Sequence, residues 1–249
     1  AMKGFFRLAI VLFLLTTLTC AAAAVAVQSD SDMALDTLDW RERRDLAVEQ
    51  GKLRDPDAVP LLAILLRDQD INVRWAAGNA LANIGAAAVS VLQEALTDYQ
   101  DDVRLRAVQA LGAIGPDALE ALPALELLSD DASVEVRRVL PGSLVKVGGA
   151  AAVSAITRML SDPDDAVRRE AVIALGDVGP EAKESVNALV VLLGDVFIVS
   201  SQVGKVLNAI VPDADLLAIL LNALEAPDPD IRVKVIEAIR SRRYQDDKV

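Results

Sequence analysis

The chain has 249 residues, of which 53% are hydrophobic and only 3% aromatic, so a core must be built from Ala, Val, Leu and Ile, which suit closely packed helices. Lys and Arg number 25 against 37 Asp and Glu, and a formal charge of −12 argues against nucleic-acid binding, which needs a basic surface to neutralise phosphate. With no histidine and a single cysteine, Cys20, the sequence excludes His-based triads, His-ligated zinc or haem, intrachain disulfides and thiolate metal clusters.

At the N-terminus, Lys3 and Arg7 precede an uncharged run from Leu8 to Val27. Leu8 to Leu15 is its apolar centre, and Ala24-Val25-Ala26 offers a small-x-small cleavage site. Residues 1–27 therefore read as a secretory signal peptide, which places the mature chain in the periplasm or outside the cell. Two readings compete with this one. The uncharged run of 20 residues is long enough to span a bilayer, so residues 8–27 would anchor the chain if uncleaved. Cys20 would alternatively be a lipidated cysteine, although Thr19 stands where such signals carry Gly, Ala or Ser.

Residues 28–54 read as a linker followed by an N-terminal capping helix, with Trp40 to Val48 charged and amphipathic. A terminal repeat is expected to be atypical because one of its faces meets water. The array proper runs from 55 to 243, and residues 244–249 form a polar tail. Its anchor is Val or Ile followed by Arg: Val73-Arg74, Val103-Arg104, Val136-Arg137, Val167-Arg168 and Ile231-Arg232. The spacings are 30, 33, 31 and then 64, and Val199-Ser200 fills the long gap with the arginine replaced.

Other columns keep step. Four after the anchor come Ala77, Ala107, Leu140, Ala171, Val203 and Val235; eight after it come Leu81, Leu111, Leu144, Leu175, Leu207 and Ile239. This is one face of an α-helix. Gly85, Gly115, Gly148 and Gly179, each twelve after its anchor, are placed to end these helices in a left-handed conformation. Between them lies a second set of apolar helices: 59–66, 87–96, 118–128, 151–160, 182–193 and 215–224. Asp70, Asp164 and Asp228 are expected as N-caps of the anchor helices. The fold class is thus all-α, about six helical hairpins whose apolar faces are satisfied by stacking.

The pattern Asp-x-x-Val-Arg-x-x-Ala-x-x-Ala-Leu-Gly-x-Ile-Gly resembles HEAT repeats, especially the short class named after phycobilisome lyases. That resemblance implies an α-α superhelix, a HEAT-like solenoid, with the second helix of each hairpin on the concave side. It also implies protein binding as the usual role, with some members attaching bilins to light-harvesting proteins. Arg74, Arg104, Arg137, Arg168 and Arg232 would then be a structural ladder bridging to acids of the neighbouring repeat.

Functional candidates are what the repeat leaves over. Two after the anchor stand Trp75, Leu105, Arg138, Arg169, Ser201 and Val233; one turn further come Asn79, Gln109 and Ile173. Trp and Arg are enriched at interaction hot spots. Trp75, Asn79, Leu105, Gln109, Arg138, Arg169 and Ile173 are therefore the candidate partner-binding residues; packing of Trp75 against the cap, and ion pairing of Arg138 and Arg169, are the competing readings. Pro141-Gly142 falls inside an anchor helix, where proline removes a hydrogen bond and clashes with the preceding turn, so a kink or break is expected between Arg138 and Pro141. Val196 to Gln202 starts unusually apolar and reads either as a docking surface or as a degenerate repeat.

Sites for chemistry are missing from the sequence. Gly204-Lys205 lacks the glycine of a phosphate loop, since Val199 stands there, and the Asp-rich turns lack EF-hand spacing. Asp101-Asp102 and Asp130-Asp131 read as solvated caps, and the arginines at 240, 242 and 243 as dipole complements in the last helix turn. The expectation is a non-enzymatic scaffold without cofactor or metal, binding a basic or mixed protein partner and no nucleic acid, and touching membrane only through residues 8–27 if uncleaved. The alternatives are an accessory subunit of a membrane complex and a bilin-lyase-like enzyme or chaperone.

Overall fold

A Val, an Ala or Val, and a Leu spaced four apart put one apolar stripe on each anchor helix, and burying each leucine is worth about 2 kcal/mol. In the computed structural model, which describes Leu35 and residues 37–246, the stripes of the first five copies are interior, Val73, Ala77 and Leu81, for example, or Val167, Ala171 and Leu175, while in the sixth Val235 is buried and Ile231 and Ile239 are half-buried. The signal or anchor segment 1–27, Cys20 and the last three residues of the tail lie outside the described residues. So do the side chains of the arginines at 240, 242 and 243.

The chain divides into two compact units, which meet in sequence between Ala121 and Leu122. The first contains α1 (Trp40–Leu53), α2 (Val59–Leu65), α3 (Ile71–Ile84), α4 (Val89–Ala95) and α5 (Asp101–Ile114). The second contains α6 (Leu122–Glu126), α7 (Val134–Gly148), α8 (Val153–Met159), α9 (Asp165–Val178), α10 (Val186–Val191), α11 (Phe197–Ile210), α12 (Asp213–Ala223) and α13 (Pro229–Asp246). Within each unit the anchor helices stack side by side: α1 on α3 and α3 on α5, then α7 on α9 and α9 on α11. The predicted capping helix is α1, closed by Asp39 and Glu42 as a reciprocal capping box.

The caps follow the sequence at three helices. Asp70 accepts from the Asn72 N–H at 2.8 Å, Asp164 from Ala166 at 2.9 Å and Asp228 from Asp230 at 2.8 Å. Asp101-Asp102 is not a solvated pair of caps: both residues lie in the first turn of α5, and Asp102 is half-buried in ion pairs. The first helices of the hairpins differ from expectation in their opening turns, which are 3-10 at Pro56–Ala58, Ala86–Ala88 and Gly149–Ala152. Chain direction reverses there at Gly85, Gly115, Gly149 and Gly179, all with φ between 52° and 85°. Their ψ values near −130° to −140° lie outside the left-handed helical well, in a region that a Cβ makes costly.

Two expectations are corrected. In the third copy the reversing glycine is Gly149, not Gly148; Gly148 stays helical, and a Cβ there would come 2.8 Å from Leu122, so its role is close packing. No break occurs at Pro141, because α7 is continuous from Val134 to Gly148. The proline ring is buried, which offsets part of the lost hydrogen bond, and the adjacent Gly142 is open to solvent, with room for the backbone to relieve the clash with the Arg137 carbonyl.

Candidate protein-binding face

The Val-Arg arginines join neighbouring hairpins within each unit. In each, Nη1 donates to a carbonyl of the arginine's own turn: Arg74 to Asp68, Arg104 to Asp98, Arg137 to Asp131, Arg168 to Asp162 and Arg232 to Ala226, at 2.6 to 2.8 Å. In Arg74, Arg137 and Arg168 the other edge reaches a carboxylate one hairpin on. Arg137 holds Asp162 through Nε at 2.7 Å and Nη2 at 3.2 Å, and Arg168 holds Asp195 at 2.6 and 2.8 Å. Arg74 takes Asp102 at 2.6 Å, because Asp98 already accepts from Arg67 at 2.7 Å.

These hydrogen bonds raise the pKa of Arg137 and Arg168 and hold the Asp195 carboxyl below its ordinary value. Sequence reasoning missed two parts of this arrangement. One is Arg43 of α1, buried and bonded to Asp68 at 2.6 and 3.0 Å, which makes the capping helix a full member of the ladder. The other is the acceptor column itself, Asp68, Asp162 and Asp195, which precedes the caps; the recurrent Asp-x-Asp of Asp68 to Asp70 and Asp162 to Asp164 is its visible trace.

With the ladder arginines committed to structure, the next column is left for solvent. Trp75 is 54% exposed on α3, with Asn79 one turn further and also exposed. Ile71, one turn before Trp75, is 53% exposed and was not among the predicted residues, although a four-residue step back along the helix finds it. On α5, Leu105 is half-buried and Gln109 is exposed and accepts from Arg106 at 3.1 Å. On α1 the same column holds Arg44, whose guanidinium lies 5.5 Å from the Trp40 ring, with Arg41 at 4.6 Å. The first unit therefore presents Ile71, Trp75 and Leu105 as an apolar strip on adjacent, packed helices, flanked by amides and arginine.

The second unit carries a different patch. Arg138 is exposed on α7, while Arg169 on α9 is half-exposed and paired with Glu170 at 2.6 Å, the competing reading for that residue. Ile173 is half-buried one turn on. At the loop edge of this unit a cleft of about 440 Å³ is lined by Ser129, Asp130, Arg137, Arg158, Met159, Asp162 and neighbours. Among the predicted residues only Arg137 reaches it. In the fifth hairpin Val196 and Ile198 are about half exposed at the start of α11.

Hairpins of this length, stacked through an Asp–Arg ladder, match the family model for HEAT repeats over residues 31–112, 58–138 and 121–208. The chain belongs to the HEAT-repeat family. It is similar to the 26S proteasome regulatory subunit rpn2 of Schizosaccharomyces pombe (strain 972 / ATCC 24843), 31% identical over 153 residues, 55% of this chain and 15% of that protein. The HEAT-repeat chain thus spans about 15% of the length of this curated relative. Among solved structures it is similar to the complex of CpcE and CpcF of phycocyanin lyase from Nostoc sp. PCC7120, with 20% identity, 92% of each chain covered and a TM-score of 0.48. It is also similar to an archaeal HEAT-like repeats protein from Thermococcus onnurineus NA1, with 17% identity, 81% of this chain and 95% of that one covered, and a TM-score of 0.45.

Proposed function

We propose that the protein is a non-enzymatic scaffold, exported from the cytoplasm, that binds another protein through the exposed column of its anchor helices. The observation that carries this reading is Trp75 at 54% exposure beside Ile71 at 53%, an apolar pair held on a rigid helix and left in water. Tryptophan is the residue type that most often dominates an interface, and its truncation at such a site costs about 2 kcal/mol or more, about 30-fold in affinity. Membership of the HEAT-repeat family supports the reading. The export part rests on Lys3, Arg7, the uncharged run 8–27 and the Ala24-Val25-Ala26 site.

The test is cross-linking and affinity purification of the full chain from native membranes, with intact-mass analysis of the recovered chain. Trp75→Ala is expected to lower recovery of the partner at least tenfold while leaving Tm within about 2 °C, since the side chain is half in water. Equal recovery with Trp75→Ala and Ile71→Ala overturns the binding face. A mass that retains residues 1–27 overturns cleavage and favours an anchored subunit of a membrane complex.

A further inference from the structure

We infer that the joint between the fifth and sixth hairpins is a hinge, at which α13 swings between the position it holds here and a stacked position along α11. Within each unit the other anchor helices run side by side, α1 on α3, α3 on α5, α7 on α9 and α9 on α11. The sixth departs from this. Helix α13 rests on the turn Leu192–Gly194 and on α12, and does not run along α11. The joint lies inside the array, between described elements.

The departure leaves a gap on α11. Four residues after the ladder arginine, Ala47, Gly78, Pro141 and Val172 are all buried, and a Cβ on Gly78 would lie 3.3 Å from Cβ of Arg106 on α5. On α11 that position is Gly204, where a Cβ would meet nothing within 4 Å. Glycine inside a helix is costly, and close approach of a neighbouring helix is what offsets the cost at Gly78. At Gly204 the same offset requires α13 to be stacked. The glycine is fitted to a position that α13 does not occupy here.

The ladder does not fasten α13 where it lies. The rungs that tie Arg43 to Asp68, Arg74 to Asp102, Arg137 to Asp162 and Arg168 to Asp195 have no counterpart at this joint, because Ser200 and Ala226 occupy the two positions. Ile231, the anchor of α13, is half-buried, whereas Val73, Val136, Val167 and Val199 are fully buried. What remains is a pivot: a Cβ on Gly194 would lie 3.2 Å from Cγ1 of Ile231. Arg232 donates to the Ala226 and Pro227 carbonyls at 2.6 and 2.7 Å, so α13 and its own turn move as one body. Swinging about Ile231 brings Lys234 over Gly204, as Arg106 lies over Gly78, and closes the face of α11 that is open here.

The experiment is disulfide trapping in the full chain carrying Cys20→Ser, with Gly204→Cys on α11 and Lys234→Cys on α13. A disulfide needs Cβ atoms about 3.8 Å apart, closer than any atom comes to a Cβ at position 204 here, so its formation reports closure. Gly142→Cys with Gly204→Cys is the reference pair: these lie on α7 and α11, kept apart by α9, and join only if the unit unfolds. Under oxidation the 204–234 pair is expected to link at least tenfold faster than the reference pair, read by intact mass. Ser200→Arg together with Ala226→Asp restores the missing rung and is expected to raise that rate at least threefold, while neither substitution alone does so. Spin labels at exposed Lys205 and Glu237 keep the test decisive if the cysteines disturb folding, and two distance populations are expected between them. A 204–234 rate no higher than the reference, a rate unchanged by the restored rung, or a single spin-label distance would each overturn the proposal.

Discussion

Removing the Asp162 carboxylate tests whether the ladder holds the second unit together. Its side chain is 4% exposed and that of Arg137 12%. The carboxylate accepts three bonds: Nε and Nη2 of Arg137, and the Asp164 backbone N–H at 2.8 Å. Asp162→Ala leaves a guanidinium edge and a cap-turn N–H without acceptors. Breaking one side of a buried pair costs about 3–5 kcal/mol. Arg137 keeps its bond to the Asp131 carbonyl and sits beside the loop-edge cleft, where water reaches it, so the lower end of about 3 kcal/mol is expected. At about 2–4 °C per kcal/mol for a chain of this size, Tm falls by about 6–12 °C in calorimetry. Arg169→Ala breaks a pair of almost the same length, 2.6 Å, but with side chains 36% and 35% exposed, and is expected to cost less than about 1 kcal/mol. Hydrogen exchange should accelerate in α7 and α9 and stay unchanged in α3. Equal Tm losses for Asp162→Ala and Arg169→Ala would refute the reasoning, since distance alone would then matter and burial would not.

Three further outcomes follow from the same geometry. The pKa of Asp195 is depressed by its hydrogen bond from Arg168, so this pair contributes fully above about pH 4, the unfolded range, and is lost as pH falls through the folded value. Asp195→Asn should lower Tm at pH 7 and flatten the acid limb of Tm between pH 4 and 2; an unchanged acid limb contradicts this. Gln50 is buried in the column that holds leucine elsewhere, with Oε1 lacking a partner, so Gln50→Leu should stabilise by about 1–2 kcal/mol and raise Tm by about 2–8 °C, and a fall in Tm tells against it. Gly51→Ala should destabilise by about 1–3 kcal/mol despite alanine's better helix propensity, because the new methyl meets backbone at 2.8 Å; Gly204→Ala, with nothing within 4 Å, should gain about 1 kcal/mol in the same urea titration.

The helices and their core were legible because the information is periodic and local: Val73, Ala77 and Leu81 name both the helix and its buried face. The ladder was legible on one side only. Arginine follows a conspicuous valine, whereas its acceptor shares an Asp-x-Asp turn with the cap, and nothing in the letters says that Asp162 takes the arginine while Asp164 takes the backbone. Arg43 was hidden because its anchor position is Glu42, not valine. At Pro141 local propensity was overridden by burial of the ring in a stacked helix. Exposure of Trp75 was not decidable from spacing alone, because the same column position holds half-buried Leu105 on α5.

The one rung missing from the ladder shows why arginine and acid belong together. Ser200 stands on α11 where Arg168 stands on α9, and Ala226 occupies the turn position of the acid that Ser200 would otherwise need to reach. Both members of the pair are replaced at the same junction. Replacing both leaves no buried charge without a counterpart, whereas replacing either alone incurs the full desolvation penalty of the other. The fifth and sixth hairpins instead meet through close packing, where a Cβ on Gly194 would lie 3.2 Å from Ile231. Arg232, just beyond this junction, nevertheless keeps the arginine and its two turn carbonyls at a position with no following hairpin among the described residues.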